Sequence, residues 1–403
     1  LETGGALSMN EIEARILSEI TEEEATTILQ KLIQAPSCYP PGNTLEVAQV
    51  CKKLFESDQI LCDTVSTQPY LPSVLAKIGD GNGKTLVFHA HIDTVPIGQK
   101  EKWIFPPFSG KLEDGKIYGR GAGDCKGSAA AQIMAAIAIK RAGIPLHGNL
   151  IVACVADEEG GGHFGTKWLR ESKQLNPDYL VVGEQTQNQV GIAERGAVWV
   201  KITVEGTACH GALPWQGKSA IIRMGEVLRE ISDWLVPQLE KKRNPYLPKS
   251  SLNIGVIQGG LKVNIVPDTC SIEIDRRILP EETCDSVVAE FHETICRTQK
   301  RIGMFPYRIE VLSNMDTSVN TSEKEPFVEV VQEASEQIYG KRLPLMGYAQ
   351  GSDGRWFAHD KFPIVIFGPG DPAVAHCDNE FCSAAQLTDA ARILALTAVK
   401  LLA

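Results

Sequence analysis

Short apolar runs bounded by turn formers punctuate the chain. Four of them, Thr85-Leu-Val-Phe88, Asn149-Leu-Ile-Val-Ala-Cys-Val155, Tyr179-Leu-Val-Val182 and Phe362-Pro-Ile-Val-Ile-Phe367, read as buried strands. Ahead of them, Glu11 to Phe55 has a helical period that Pro36, Pro40, Pro41 and Gly42 break into two helices around a loop. Ser128 to Arg141, rich in Ala, Ile and Met and stopped by Gly143 and Pro145, predicts a buried helix after the glycine-dense stretch Gly119 to Gly127. This alternation, kept up to about residue 190, predicts an α/β fold with a mainly parallel sheet and helices on both faces.

The period then changes. Val198-Trp-Val-Lys-Ile-Thr-Val204 alternates as a half-buried strand, Ser219 to Leu235 is an amphipathic helix, Ser251 to Ile257 and Cys270 to Ile274 are strands, Glu282 to Arg297 is a helix, and Tyr307 to Leu312 a last strand. The order β-α-β-β-α-β is that of a ferredoxin-like α+β domain. Residues 195–312 are therefore expected as an insertion that divides the first domain into residues 9–194 and 313–403.

A chain of 403 residues exceeds what one core organises, in keeping with two domains. The formal charge of −10 argues against nucleic acid or an anionic membrane as partner, and the Lys241-Lys242-Arg243 run reads as a solvated loop. Eleven cysteines, an odd number with no Cys-x-x-Cys pair and no secretory signal, fit free thiols in the cytoplasm. No apolar stretch is long enough to span a bilayer. Leu1 to Ser8, ahead of Met9, reads as an appended remnant and is set aside.

Chemistry-bearing residues collect where the strand-like runs end: His91 and Asp93, Glu158 and Glu159, and Glu184, with Asp124 in the glycine-dense turn and His376 in a loop beyond the last run. Strand ends are where open α/β sheets keep their sites. Alternation lets His91 and Asp93 meet, and a carboxylate on the far ring nitrogen would fix the tautomer of a metal-bound imidazole. Asp124 alone reads as a helix N-cap. Of the adjacent Glu158 and Glu159, whose charges repel unless a cation or shared proton intervenes, one suits a metal and the other a general base. Together, two histidines and three carboxylates suffice for two divalent ions with one carboxylate bridging, an arrangement suited to hydrolysing an amide or phosphoester. Cys125, Cys209 and Cys377 lie beside these residues, but small buried thiols pack well and the oxygen and imidazole ligands already suffice.

Three motifs point elsewhere and fail on context. Gly81-Asn-Gly-Lys-Thr85 looks like part of a phosphate loop but precedes a strand instead of following one, so it is read as a hairpin turn. Gly119-Arg-Gly-Ala-Gly123 lacks dinucleotide-binding spacing. His292-Glu-Thr-Ile-Cys296 misses a zinc-protease helix motif at its last residue and reads as an exposed helix face.

Six segments, in order, resemble the M20 metallopeptidase family, the group of acetylornithine deacetylase, succinyl-diaminopimelate desuccinylase, aminoacylase-1 and glutamate carboxypeptidase. They are Thr85-Leu-Val-Phe-His-Ala-His-Ile-Asp-Thr-Val-Pro96, Gly119-Arg-Gly-Ala-Gly-Asp-Cys-Lys-Gly127, Asp157-Glu-Glu159, Val182-Gly-Glu-Gln-Thr186, Gly206-Thr-Ala-Cys-His-Gly211 and Ala375-His-Cys-Asp-Asn-Glu380. The resemblance runs from about residue 25 to the C-terminus. It implies a zinc-exopeptidase-like catalytic domain and an inserted lid and dimerisation domain. It implies that His91 and Glu184 hold one metal, Glu159 and His376 the other, and that Asp124 bridges them. Asp93 would orient His91, and Glu158 would take a proton from the bridging water and pass it to the leaving amine. His210 would reach a neighbouring subunit's site, Asn264 and Arg277 would grip a substrate carboxylate, and the Gly351-Ser352 loop would contribute to that grip. Two departures border the pocket: Gln185 stands where the family usually has Pro, which should loosen the turn after Glu184, and Gln350 where Gly is common.

The expectation is thus a cytoplasmic homodimeric hydrolase with two divalent ions per subunit, zinc with cobalt or manganese as alternatives. It would cleave the amide of an N-acylated amino acid or related small carboxylate. The alternatives are another C–N bond at the same site, in a dipeptide, carbamoyl group or aryl amine, and a non-catalytic metal-dependent binding protein, the latter weakened by the intact Glu158.

Overall fold

The computed structural model describes residues 8–403. Of the stretch set aside at the start, residues 1–7 lie outside the described residues, while Ser8 precedes helix Met9–Ser18 and donates its backbone N–H to Glu11. The described residues divide into two compact units, one of residues 8–192, 320–346 and 352–403, the other of 193–319 and 347–351.

The first unit is built on an eight-stranded sheet. Its spatial order is Leu61–Val65, Ser73–Gly79, Gly148–Val155, Lys84–His91, Tyr179–Val182, Ile364–Ile366, Gly191–Glu194 and Met346–Tyr348. The four middle strands from Gly148–Val155 to Ile364–Ile366 run parallel, and antiparallel pairs flank them. These parallel strands are buried almost end to end, as continuous Val, Ile and Leu runs require. Helix Lys126–Ala142 packs on Lys84–His91 and against helix Ala384–Leu402. Its side chains are buried around nearly its whole girth, so it carries no polar face.

Two local readings differ. The N-terminal region holds three helices, Met9–Ser18, Glu22–Ile33 and Leu45–Ser57, because Thr21 caps a new start by accepting from Glu24 N at 3.2 Å. The Gly81–Gly83 turn makes no hairpin: Ser73–Gly79 and Lys84–His91 both pair with Gly148–Val155, one antiparallel and one parallel. A strand from later in the chain fills the gap, and it approaches so closely that a Cβ on Gly79 would lie 1.9 Å from the Gly148 carbonyl oxygen.

The second unit carries a four-stranded antiparallel sheet ordered Ser251–Gly259, Thr269–Ile278, Gly196–Glu205, Tyr307–Met315. With helices Ala220–Glu230 and Cys284–Ile302, this is the ferredoxin-like order read from the sequence. The inward residues Val198, Val200, Ile202 and Val204 meet Met224, Val227, Val287, Phe291 and Ile295 in one core, the period-two strand meeting the helical stripe. The basic run is not simply solvated: Lys242 reaches Glu282 at 2.5 Å and also pairs with Glu290. All eleven cysteines are unpaired. Among the described residues no helix is long and apolar enough to cross a membrane.

Candidate metal centre

The parallel register aligns the ends of three strands. His91 lies opposite Val155, and His89 opposite Val182, so the segments that follow, 91–93, 157–159 and 183–184, emerge side by side. The turn before helix Lys126–Ala142 delivers Asp124 to the same edge. His91, Asp124 and Glu159 bring donor atoms within 4.8 Å of one another, and His91 does the same with Glu184 and Cys125.

Asp124 lies at the middle of the group. Its Oδ1 is 3.0 Å from His91 Nε2 and its Oδ2 is 3.1 Å from His376 Nε2, which is also 3.5 Å from Glu159 Oε1. The Nδ1 of His91 faces the backbone carbonyl of Asp93 at 2.9 Å, so that nitrogen carries the proton and donates. Nε2 then meets a carboxylate, and between these two acceptors there must sit either a second proton or a cation. Two ligands about 2.1 Å from one ion at a near-tetrahedral angle lie roughly 3.4 Å apart, a few tenths of an ångström more than the spacing on either side of Asp124. The nitrogen and oxygen donors therefore fit two divalent ions sharing one carboxylate. Cys125 joins by distance only: burial pushes its thiol up to about 12, and Sγ donates to the Gly183 carbonyl at 2.8 Å.

Without cations the histidines hold protons. Hydrogen bonds donated to Asp124 and then to Glu159 raise His376 to about 10. Burial favours the neutral Asp124 carboxyl, but His376 and His91 outweigh it and hold the group below its usual value. The sign for ion binding follows: below about 10 the His376 ring is charged, and a cation must displace its proton. Loading at pH 7 should therefore release at least one proton, and affinity should rise with pH. Calorimetry in buffers of different ionisation enthalpy measures this, and proton-neutral loading would contradict the assignment of His376 as a ligand.

Asp93 meets the His91 ring chiefly through its main chain. Its carboxylate lies 3.6 Å from His91 Nδ1 while its main-chain carbonyl takes the ring proton. The carboxylate instead accepts from Glu158 N at 3.2 Å and Glu159 N at 3.0 Å, fixing the segment that carries both glutamates. Glu159 points to His376, and Glu158 to the Arg355 guanidinium at 3.7 Å. The site also uses left-handed backbone at two non-glycine residues, Asp157 (φ 77°) and His376 (φ 61°), the kind of local strain that clusters at functional positions.

Glu380 escaped the residue-by-residue reading. Fully buried, it accepts from Arg120 at 2.6 Å and from the backbone N–H groups of Gly121, Gly123 and Asp124 at 3.1, 2.8 and 2.9 Å. It thereby shapes the turn that presents Asp124. Its only sequence signal is its place at the end of the Ala375–Glu380 segment. Glu380→Ala would leave Arg120 buried without a partner and should cost about 3–5 kcal/mol in a denaturation experiment. A change under about 1 kcal/mol would remove this role.

The turn after Glu184 is not loosened by Gln185. Thr186 Oγ1 donates to Gln189 O at 2.7 Å and accepts from Gly368 N at 3.1 Å, while the Gln185 amide is buried with neither polar atom partnered. Ser352, expected at a substrate carboxylate, is fully buried, and its Oγ accepts from Gly354 N at 3.1 Å, capping a short turn. Gly351, at the preceding position, is grouped with the second unit. That unit also holds His210, Asn264 and Arg277. His210 and Asn264 are neighbours on the surface through Gly211 N to Asn264 O at 2.8 Å, and Arg277 pairs with Asp275 at 3.0 Å.

Comparison with known proteins bears on this site. A model of peptidase family M20/M25/M40 matches residues 87–400. A succinyl-diaminopimelate desuccinylase of Cupriavidus necator is 30% identical over 314 residues, covering 74% of this chain and 77% of that protein. Among solved structures, aminopeptidase PepT of Bacillus cereus superposes with a TM-score of 0.75 at 22% identity, covering 95% of this chain and all of the other. The YXEP protein of Bacillus subtilis, described as a dinuclear metal-binding peptidase, gives 0.70 at 18%, covering 94% and 98%. At these identities the structural likenesses speak for the fold.

Proposed function

The chain belongs to peptidase family M20/M25/M40, and on that premise we propose that it is a dinuclear metal-dependent amidohydrolase acting on an N-acylated amino acid or a related small carboxylate. The observation that carries this reading is Asp124, whose two oxygens each face a different histidine. The desuccinylase relative, an enzyme named for removing an acyl group from an amino acid, favours the N-acyl substrate class.

In this reading His91 and Glu184 hold one ion, Glu159 and His376 the other, and Asp124 lies between them. Two divalent ions, zinc by preference with cobalt or manganese also suited to the donors, would supply Lewis-acid polarisation of the scissile carbonyl and a water acidic enough to ionise near neutrality. Glu158 would accept a proton from the attacking water and return it to the leaving nitrogen. Burial pushes its carboxyl up to about 8, a range in which a general base can also serve as acid. Asp93 keeps Glu158 in reach through its backbone hydrogen bond.

The second unit is proposed as a lid and dimerisation domain. Strand Ser251–Gly259 lies at the edge of its sheet and continues into an exposed apolar stretch, with Ile257, Leu261 and Val263 in solvent. Such an edge invites pairing with a second copy, and sedimentation at micromolar concentration tests it. His210 Nδ1 accepts from Ala212 N at 3.1 Å, so a neutral ring carries its proton on Nε2 and can donate to an oxyanion. We assign that oxyanion to the partner's site. His210→Ala should lower turnover about 10²–10³-fold with ion content unchanged. Mixed dimers of His210→Ala and Glu158→Ala chains should regain activity, and silence after verified exchange would refute action across subunits. Arg277 and Asn264 are assigned to the substrate carboxylate, the Gly351–Ser352 backbone to the same region, and the unpaired cysteines support a reducing compartment.

The deciding experiment for the whole reading is amine release from N-acyl amino acids, dipeptides, carbamoyl amino acids and aryl amides after loading with zinc, manganese or cobalt. Release only from dipeptides would move the substrate class, and no release from any loaded form would favour a binding role.

A further inference from the structure

Three arginines gather in the second unit, and they are not matched alike. Arg276, fully buried, pairs with Glu282 at 2.5 Å and Glu290 at 3.2 Å. Arg277 pairs with Asp275 at 3.0 Å. Arg195, where the chain enters the first strand of this sheet, has no carboxylate partner among the described residues. Its Nη2 donates to Ser251 Oγ at 2.5 Å, and its Nε is closed off from solvent with no acceptor. Burial, and then the neighbouring Arg277, press against its charged form. A half-buried guanidinium whose direct partner is neutral is compensated only in part, by Asp275 and Glu282 acting beyond ion-pair distance.

Arg195 lines a cavity of about 430 Å³. Lys249, exposed and without a partner among the described residues, gives it a second cation against the single acid Glu240, and Val236, Leu239 and Leu252 give it an apolar wall. Cations set beside an apolar wall in a cavity of small-molecule size describe a site for a ligand with one anionic head and a hydrophobic body. A carboxylate matches the planar guanidinium and supplies the direct ion-pair partner that Arg195 lacks.

We propose that this cavity binds a small amphipathic carboxylate, with its head on Arg195 and Lys249 and a short branched aliphatic tail against Val236, Leu239 and Leu252. All these residues belong to the second unit, and none is a residue of the metal centre. The proposed site shares no lining residue with the metal centre or with Asn264 and Arg277, and would make the protein responsive to a carboxylate that is not being cleaved.

The test uses the full-length, metal-loaded protein and 4-methylpentanoate as probe, with neutral 4-methylpentanamide as its uncharged match, followed by calorimetry and by methyl resonances of Leu239 and Leu252. The carboxylate should bind at one site that shifts those methyls, and the amide should bind about tenfold or more weakly. Arg195→Gln should weaken the carboxylate about 10–100-fold. Lys249→Gln, on an exposed side chain that cannot affect folding, should weaken it by a smaller but measurable factor. Asp124→Ala should leave the methyl shifts intact. Equal binding of acid and amide, methyl shifts that vanish with Asp124→Ala, or affinity untouched by Lys249→Gln together with Arg195→Gln would each overturn the proposal. Should Arg195→Gln melt early, the Lys249 variant and the amide comparison still decide.

Discussion

Asp124→Ala should strip both ions and abolish hydrolysis in a chain that remains folded. The side chain stands between both halves of the centre, 3.0 Å from His91 and 3.1 Å from His376. In the proposed arrangement each ion would then keep two protein ligands, too few for a closed or catalytic site. Losing the several kcal/mol of Lewis-acid stabilisation corresponds to on the order of 10³–10⁴ in rate, before the loss of the acidified water is counted. Elemental analysis gives the ion content and circular dichroism the fold. A variant that retains two ions per chain would remove Asp124 from the bridge. Retention of one would make it a ligand of a single site. The contrast with Glu184→Ala sharpens the result, because Glu184 groups with His91 and not with His376, so its loss should empty one site and spare the other.

The centre was legible in the sequence because parallel strands in register expose their ends together. Once Thr85–Phe88, Asn149–Val155 and Tyr179–Val182 are read as strands of one sheet, His91, Glu158, Glu159 and Glu184 must arrive at one edge, and the pairing of His91 with Val155 and His89 with Val182 is that arrival. What the pattern could not carry is which atom of a residue does the work. Alternation correctly brought Asp93 to His91, yet the ring bonds the backbone carbonyl, and the carboxylate turns to the amides of Glu158 and Glu159. Glu380 was invisible for a similar reason. Its partners are mostly backbone N–H groups far away in sequence, and main-chain donors leave no trace in residue type.

Errors of topology had a single source. Local pattern gives a strand and its length but not its neighbour, so a glycine turn between two strands reads as a hairpin even when Gly148–Val155, from later in the chain, fills the gap. The inserted unit was easier: each of its strands pairs antiparallel and alternates inside with outside, so order and burial are both written in the period. The early helices failed in the opposite direction, since a capping Thr21 divides a run that carries no proline or glycine at that point.

Glu158→Ala should separate the chemistry from the metal. Of the adjacent pair, Glu159 faces His376 at 3.5 Å while Glu158 faces Arg355 at 3.7 Å, so only the first is turned to an imidazole of the centre. Asp93 holds both backbone N–H groups, and removal of the Glu158 carboxylate leaves that anchor in place, so Glu159 should not move. Ion content should stay at the wild-type level while turnover falls roughly 10²–10⁴-fold, the usual worth of a general acid and base. Burial pushes the Glu158 carboxyl up to about 8, and taking away a buried ionisable group releases a desolvation cost, so the variant should unfold no earlier than the wild type. Glu158→Gln keeps the shape and removes the proton acceptor, and it should be as slow as the alanine variant. Were the glutamine form to retain turnover, the carboxylate would be positioning the substrate through hydrogen bonds instead of moving a proton. Loss of one ion on either substitution would make Glu158 a ligand and pass the role of base to Glu159.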